Sequence, residues 1–445
     1  MRDADTEPAS AGADPVEPKP VEPKPVEPEP VDAGLVEGWH RALLALAGVL
    51  PDELVTRARG WLAEGRLLDL TRAVTFALVA GRFAAPGEVV ELLGRESGAA
   101  GADNALLGLL GLLETAPADP AAATPWRFCA TEPGPAAPWA FLPLDLTAGQ
   151  RMPLGRSGAI DRAMIEAVRA EPGAAGLWRA WRLAAADSPW PRPRRVFVVT
   201  ARPADEPSPP RHGGEPARPV GGLAAVAGRL QAALAAVGEP DPQVEVCPAG
   251  GEAPAYQVLA RTGGALLWAR EPAVPISVAR VFDEVDPQGG PRFAVDRPRV
   301  DGADRARIAA YLDAGVPVLG TSATMIDVVE PARGVVVPLT FRTDGSWVWT
   351  DTVSYYLTTY GLTPDPDLLR HALRPGPPDP VDEVALHRVL ADLLRPEEPP
   401  AADAPPAPAD PVWYVPGMSG GAGADTATGL GTATGVGAVA EVRRA

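Results

Sequence analysis

Arg342, Asp344 and Asp351 place one guanidinium and two carboxylates within ten residues, with Trp347, Trp349 and Tyr355 interleaved. Two chemistries use such a set. A carboxylate pair oriented by a guanidinium is an acid/base device for a small or nucleotide-like substrate. Tryptophan, tyrosine and arginine are also the residue types that dominate protein-recognition hot spots. No second catalytic group completes the first arrangement, so the leading expectation is a non-catalytic protein-interaction module. Its binding residues would be Arg342, Asp344, Trp347, Trp349, Asp351 and Tyr355, and its partner another protein. An enzyme using Asp344, Asp351 and Arg342 is the alternative. A structural role competes with both, since aromatic side chains carry large burial energies.

The elements that would position these groups are readable locally. Val335 to Phe341 is β-branched and apolar and reads as one strand, with Val335, Val337, Leu339 and Phe341 on one face. Pro338, lacking an N–H, argues for an edge or a bulge. Arg342-Thr343-Asp344-Gly345 reads as a turn, and Ser346 to Trp349 as the returning strand of a β-hairpin. Thr350 or Asp351 is placed to cap the next helix, where Val353, Tyr356, Leu357 and Tyr360 share one face. Gly361 and Pro364 end it, and Asp365 is placed to cap a second short helix.

Composition removes several function classes. The only lysines are Lys19 and Lys24, near the N-terminus. The rest of the chain therefore lacks a Schiff-base lysine, a pyridoxal-phosphate linkage and a P-loop lysine. A net charge of −17 argues against neutralising nucleic-acid phosphates or an anionic membrane surface. Cys129 and Cys247 have no metal-site or disulfide spacing, and His40, His212, His371 and His387 have no ligand spacing. The expectation is no metal and no cofactor, with His371 and His387 exposed on helices. The opening residues show no signal-peptide pattern, and the apolar run Ala105 to Leu113 is too short to cross a bilayer. A cytoplasmic location is expected.

Along the chain, a hydrophobic share of 46% supports a core, while 54 Pro and 46 Gly imply linkers. Residues 1–34 carry VEPKP-type repeats and read as a disordered Pro-rich tail. Residues 35–115 have helical periodicity and read as a small helical bundle. Arginines around Gly65 invite a helix-turn-helix reading, but Asp52, Glu53, Glu64 and Asp69 break up a basic face. Residues 116–190 form a Pro/Ala-rich connector with short strands and helices, the WRAWR run from Trp178 to Arg182 being assigned to a helix over Leu177–Leu183. Residues 191–375 alternate strands (Val196–Thr200, Val244–Cys247, Ala265–Trp268) with helices, as in a mixed α/β domain. The hairpin–helix unit is expected to complete or edge that sheet. No glycine-rich turn follows Val199, so nucleotide binding is weakly supported. A C-terminal helix is placed in 376–395 and a disordered tail in 396–445. Within that tail, Val412-Trp413-Tyr414-Val415 precedes Gly417-Met418-Ser419-Gly420-Gly421. The G-x-S-x-G spacing at Gly417–Gly421 has no acid–His sequence after it and is a chance match. The fold class is thus α+β to α/β: a helical bundle, a mixed α/β domain with a C-terminal hairpin–helix unit, and tails.

The run FRTDGSWVWTDTVSYYLTTYGLTPDPDLL resembles a module of uncharacterised proteins from high-GC bacteria, a similarity extending upstream through ARVFDEVDP and covering residues 243–373. The module has no activity that transfers to these residues. Some proteins of this group sit with secretion or toxin–immunity gene sets, and the resemblance implies service in such a system.

Overall fold

The computed structural model describes residues 32–99, 108–115, 125–133, 141–147, 158–184, 191–202, 221–374 and 380–395. Residues 1–31 of the tail predicted over 1–34, the tail over 396–445, the Gly417–Gly421 match and His212 lie outside the described residues, whereas the end of that first tail, Asp32 to Gly34, caps and opens the first helix. The protein is α+β, with N-terminal helices followed by mixed sheets.

Helices α1 (Ala33–Ala45), α2 (Asp52–Ala63), α3 (Leu67–Gly81) and α4 (Gly87–Ala99) form the predicted bundle. Trp39, Leu43, Val55, Leu62, Leu70, Val74 and Leu93 fill its centre. The bundle leans on a six-stranded sheet made by β1 (Trp126–Cys129), β2 (Leu144–Asp145), β3 (Ala174–Ala184), β4 (Arg194–Ala201), β5 (Gln243–Pro248) and β6 (Ala265–Ala269). The order is β2-β6-β3-β4-β5, with β1 also on β3. β6 pairs with Gly176–Arg179 and β1 with Trp181–Ala184, so they share one edge of the long β3.

Both faces of this sheet are covered, and the alternation of β4 shows how. Phe197 and Val199 point into a cluster with α5 (Ala159–Arg169) and α6 (Gly222–Ala236). Val196 and Val198 point the other way, toward Trp178, Tyr256 and Ala260, the last two on α7 (Ala255–Thr262). At β5 the outer edge is met by the bundle, where His40 Nε2 lies 2.8 Å from the Val246 carbonyl and Arg59 pairs with Glu245 at 2.5 Å.

The helix expected over Leu177–Leu183 is instead the centre of β3. Its apolar spacing fits either period over so few residues, and six successive backbone partners on β4, from Leu177 to Arg182, decide for the strand. Trp178 then enters the core while Arg179 faces Asp161 on the opposite side. The 116–190 segment accordingly contributes β1, β2, β3 and α5 to this sheet, and the 190/191 boundary falls between two paired strands.

A second unit follows. β7 (Ser277–Val278), β10 (Val316–Leu319), β13 (Phe341–Thr343) and β14 (Trp347–Thr350) form a four-stranded sheet of order β10-β13-β14-β7. Two small ladders, β8 (Glu284–Asp286) with β9 (Gly290–Arg292) and β11 (Thr324–Ile326) with β12 (Val335–Pro338), complete the strands. Helices α8 (Gly302–Asp313), α9 (Asp351–Tyr360) and α10 (Pro366–Ala372) pack around them. The hairpin therefore belongs to a sheet of its own and does not edge the first one. The continuous strand expected over Val335–Phe341 is broken after Pro338. Its first half pairs with β11 and its second with β10 and β14, as a residue without an N–H ends a ladder.

The helix predicted in 376–395 is α11 (Glu383–Leu393), and it joins the two units. Val384 enters the core behind Trp178, whereas Val389 and Leu393 pack beside Phe341 and Val348. His387, expected to be exposed, is 3% exposed, and its Nε2 lies 2.9 Å from the Leu144 carbonyl. One face of α11 had to enter the joint between the sheets, which a helix read in isolation does not reveal.

Candidate functional site

The hairpin turn is built on Asp344. Its Oδ1 accepts from the backbone N–H groups of Ser346 (2.9 Å) and Trp347 (2.7 Å). Gly345 at φ 92° makes the reversal that a side chain there would resist. The other oxygen faces inward: Tyr311 donates its hydroxyl to Oδ2 at 2.5 Å, and His371 Nε2 stands 2.6 Å from the same atom. The side chain is 5% exposed. Burial alone would push this carboxyl up, but the bonds from Tyr311, the two backbone amides and His371 outweigh it. The group is held below the usual carboxylate range. His371, expected to be solvated, is thus tied from α10 to the turn, with the Trp347 ring 6.0 Å from its own.

Arg342 lies in β13 rather than in the turn. Its Nε donates to Asp351 at 2.5 Å, and one terminal nitrogen donates to the Asp313 (3.1 Å) and Gly315 (3.0 Å) carbonyls. The guanidinium thereby fastens the C-terminal end of α8 to the first turn of α9, where the acidic Asp351 also suits the helix dipole. Trp349 is 1% exposed, and its indole N–H donates to the Leu312 carbonyl at 3.3 Å. Gly315 sits against that ring so closely that a Cβ would lie 2.3 Å from it.

Tyr355 belongs to a separate knot on the far side of α9. It donates to Asp327 Oδ2 at 2.9 Å, and Tyr360 donates to the same oxygen. Asp327 Oδ1 accepts from the Val329 (2.9 Å) and Glu330 (3.2 Å) amides. Asp327 is fully buried. Burial opposes its ionisation, yet the Tyr360, Val329, Tyr355 and Glu330 bonds hold the carboxyl low. Tyr356 is buried, accepts from the Val328 amide at 3.0 Å and packs edge-on to Phe293.

Five of the six predicted binding residues therefore gather around the hairpin and its contact with α8. Tyr355 joins the other knot instead. Their polar groups face partners within the chain. Sequence reasoning missed Asp327, Tyr311, Tyr360 and His371 as members of these knots. Their partners lie 27 to 33 positions away, and no local pattern signals such pairs.

Two further features lie on this unit. A small concavity with about 10 Å³ of enclosed space lies between Phe293, Arg297, Val353, Tyr356 and Leu362. That is room for about one water molecule. The β11–β12 ladder buries Val337 and Met325 inward and turns Val335 (58% exposed), Val336 (44%) and Ile326 (38%) outward. Val335 and Ile326 are cross-strand partners, so these groups form one patch. Among the described residues, no group of three or more His, Cys, Asp and Glu is arranged to hold a metal ion. No described helix is long and apolar enough to cross a membrane.

Compared with protein-family models, curated proteins and solved structures, the chain matches none. The functional reading therefore rests on the geometry above.

Proposed function

We propose that the protein is a cytoplasmic protein-interaction module and that it meets another protein through the outward side of the β11–β12 ladder. The observation that carries this reading is the contiguous apolar patch of Val335, Val336 and Ile326 on a two-stranded ladder, braced from beneath by the Asp327 knot. Grouped exposed β-branched residues mark contact surfaces more often than single ones do. The residues first expected to make the contact take a supporting part. Arg342, Asp344, Trp347, Trp349, Asp351 and Tyr355 hold the hairpin, α8, α9 and α10 in the arrangement that presents the ladder. Service in a secretion or toxin–immunity system, implied by the resemblance of the FRTDGSWVWTD run, is compatible with such a module.

The enzyme reading draws less support. Asp351 is engaged by Arg342, and Asp344 by Tyr311 and His371. The concavity is lined by other residues.

The test is affinity capture from the native host with wild type and a Val335→Lys/Ile326→Lys variant, each checked for an unchanged urea midpoint. A partner retained by wild type and lost by the variant is the expected result. An identical captured set from both proteins would overturn the proposal.

A further inference from the structure

The two sheets meet through one helix. Among the described residues no apolar cluster holds side chains from both sheets, whereas α11 belongs to a cluster of each. Val384 lies with Trp178 and Leu266 of the first, and Val389 and Leu393 lie with Phe341 and Val348 of the second. The chain crosses between the units over residues 271–275, five successive exposed residues outside helix and strand. Both ends of this crossing are fixed. Arg270 Nε donates to the Ala174 carbonyl at 2.6 Å in the first unit, and Ser277 donates its N–H to the Ser346 carbonyl at 2.9 Å in the second. A short exposed segment between two anchored ends is where a hinge takes up its change of dihedral angles. α11 grips this segment as well. The Arg388 guanidinium donates to the Glu271 (3.0 Å) and Pro272 (3.1 Å) carbonyls.

His387 stands between these contacts, beside the Arg388 grip. With the Leu144 carbonyl 2.9 Å from Nε2, the neutral ring carries its proton on that nitrogen and donates it there. The Trp178 ring meets the imidazole edge-on at 6.1 Å. Nδ1 is buried and makes no hydrogen bond, the nearby Arg261 carbonyl not being in bonding geometry. A second proton would therefore place an unpaired donor and a positive charge in a buried site. The charged groups facing this place are already matched with one another. Asp145 of β2 lies 3.6 Å from Arg388. Glu383 lies 4.0 Å from Arg261 of α7 and accepts from the Gly250 N–H at 2.9 Å. Neither carboxylate is left over for an imidazolium.

We propose that α11 is a hinge latch, docked across both sheets while His387 is neutral and released when that ring takes up a proton, so that the two units turn about residues 271–275. Burial, the largest influence, holds the docked ring below its ordinary value, against the Leu144 carbonyl and Asp145, which favour protonation. The sign follows from this. On a released helix the ring binds its proton near pH 6.5, about the ordinary value for histidine, whereas the docked ring binds it only at lower pH. Docking is therefore complete above about pH 6.5 and weakens by up to about tenfold per pH unit as pH falls toward the docked value. Release bares Phe341 and Val348 on one side of the joint and Trp178 on the other. This inference is independent of the β11–β12 contact surface.

The test uses the full chain with spin labels at Val258→Cys on α7 and Val295→Cys in the second unit, both exposed positions, the native Cys129 and Cys247 being buried. The distance distribution between the labels should be narrow at pH 7.5 and broaden at pH 5.5. Amide exchange of Val389 in α11, corrected for its intrinsic pH dependence, should show about three- to tenfold more opening at the lower pH. His387→Gln keeps a donor for the Leu144 carbonyl and takes up no proton, so it should abolish both changes while the titration of His40 remains. Arg388→Ala removes the grip on the hinge and should broaden the distribution already at pH 7.5, with an unchanged circular dichroism spectrum. A wild-type distribution equally narrow at both pH values would overturn the latch. Equal broadening of wild type and His387→Gln would overturn it too, because another group would then be the trigger. An Arg388→Ala distribution identical to that of wild type at pH 7.5 would overturn the grip on the hinge.

Discussion

Replacing Asp344 by Asn tests whether the hairpin turn is the structural centre of the second unit. Asp344→Asn keeps an oxygen to accept from the Ser346 and Trp347 amides. It replaces the charged oxygen facing Tyr311 and His371 with an amide. Two hydrogen bonds to a charged group, at 2.5 and 2.6 Å, are each worth about 1.5–3 kcal/mol. The new amide recovers part of this by donating to the tyrosine hydroxyl, so a net loss of about 2–4 kcal/mol is expected. That is a large share of the roughly 5–15 kcal/mol available to a folded domain. Urea unfolding, with amide exchange at Trp347 as the local probe, measures it. Tyr311→Phe completes a double-mutant cycle, for which coupling of at least about 1 kcal/mol is expected. The pH dependence carries a sign. The folded carboxyl is held below its unfolded value, so its contribution is complete above the ordinary carboxylate range and is lost as pH falls through the folded value. The wild-type advantage over Asp344→Asn should therefore shrink on acidification. A variant within about 0.5 kcal/mol of wild type at neutral pH, the scatter of ordinary surface changes, would refute the assignment.

Gly315→Ala should cost about 1–3 kcal/mol in urea unfolding through overpacking against the Trp349 ring. Gly320→Ala, with nothing within 4 Å of the added carbon, should be nearly neutral in the same assay. His40 is held at about 4 by burial, opposed by its bond to the Val246 carbonyl and reinforced by nearby Arg59. The unfolded chain therefore takes up the proton first, and about 3 kcal/mol of stability should disappear between pH 6.5 and pH 4. Proton NMR of the native protein should show no titration of His40 above pH 5, whereas titration near 6.5 would contradict the buried placement.

Much of this architecture is legible in the chain because its causes are local. The Asp344-Gly345 turn, the run from Asp351 to Gly361 and the Asp365 cap need only neighbouring residues, and the structure has each of them. The continuous apolar run of Val196 to Val199 likewise suffices for a strand buried on both faces. The WRAWR run fails as a helix because its period is ambiguous and its β4 partners come from later in the chain. His371 and His387 fail as surface residues because α10 and α11 dock against elements far away in sequence.

The candidate site divides along the same line. Residue types alone picked out Arg342, Asp344, Asp351 and the aromatics as a dense group, and composition alone removed lysine-dependent chemistry. Whether those groups face outward or inward depended on partners such as Tyr311, Asp327 and the Gly315 carbonyl, tens of residues away in several cases. Local propensity governs the dihedral angles and the period of each segment. Which side of a segment meets solvent depends on which other segments have packed against it, and that is decided only when the whole chain closes.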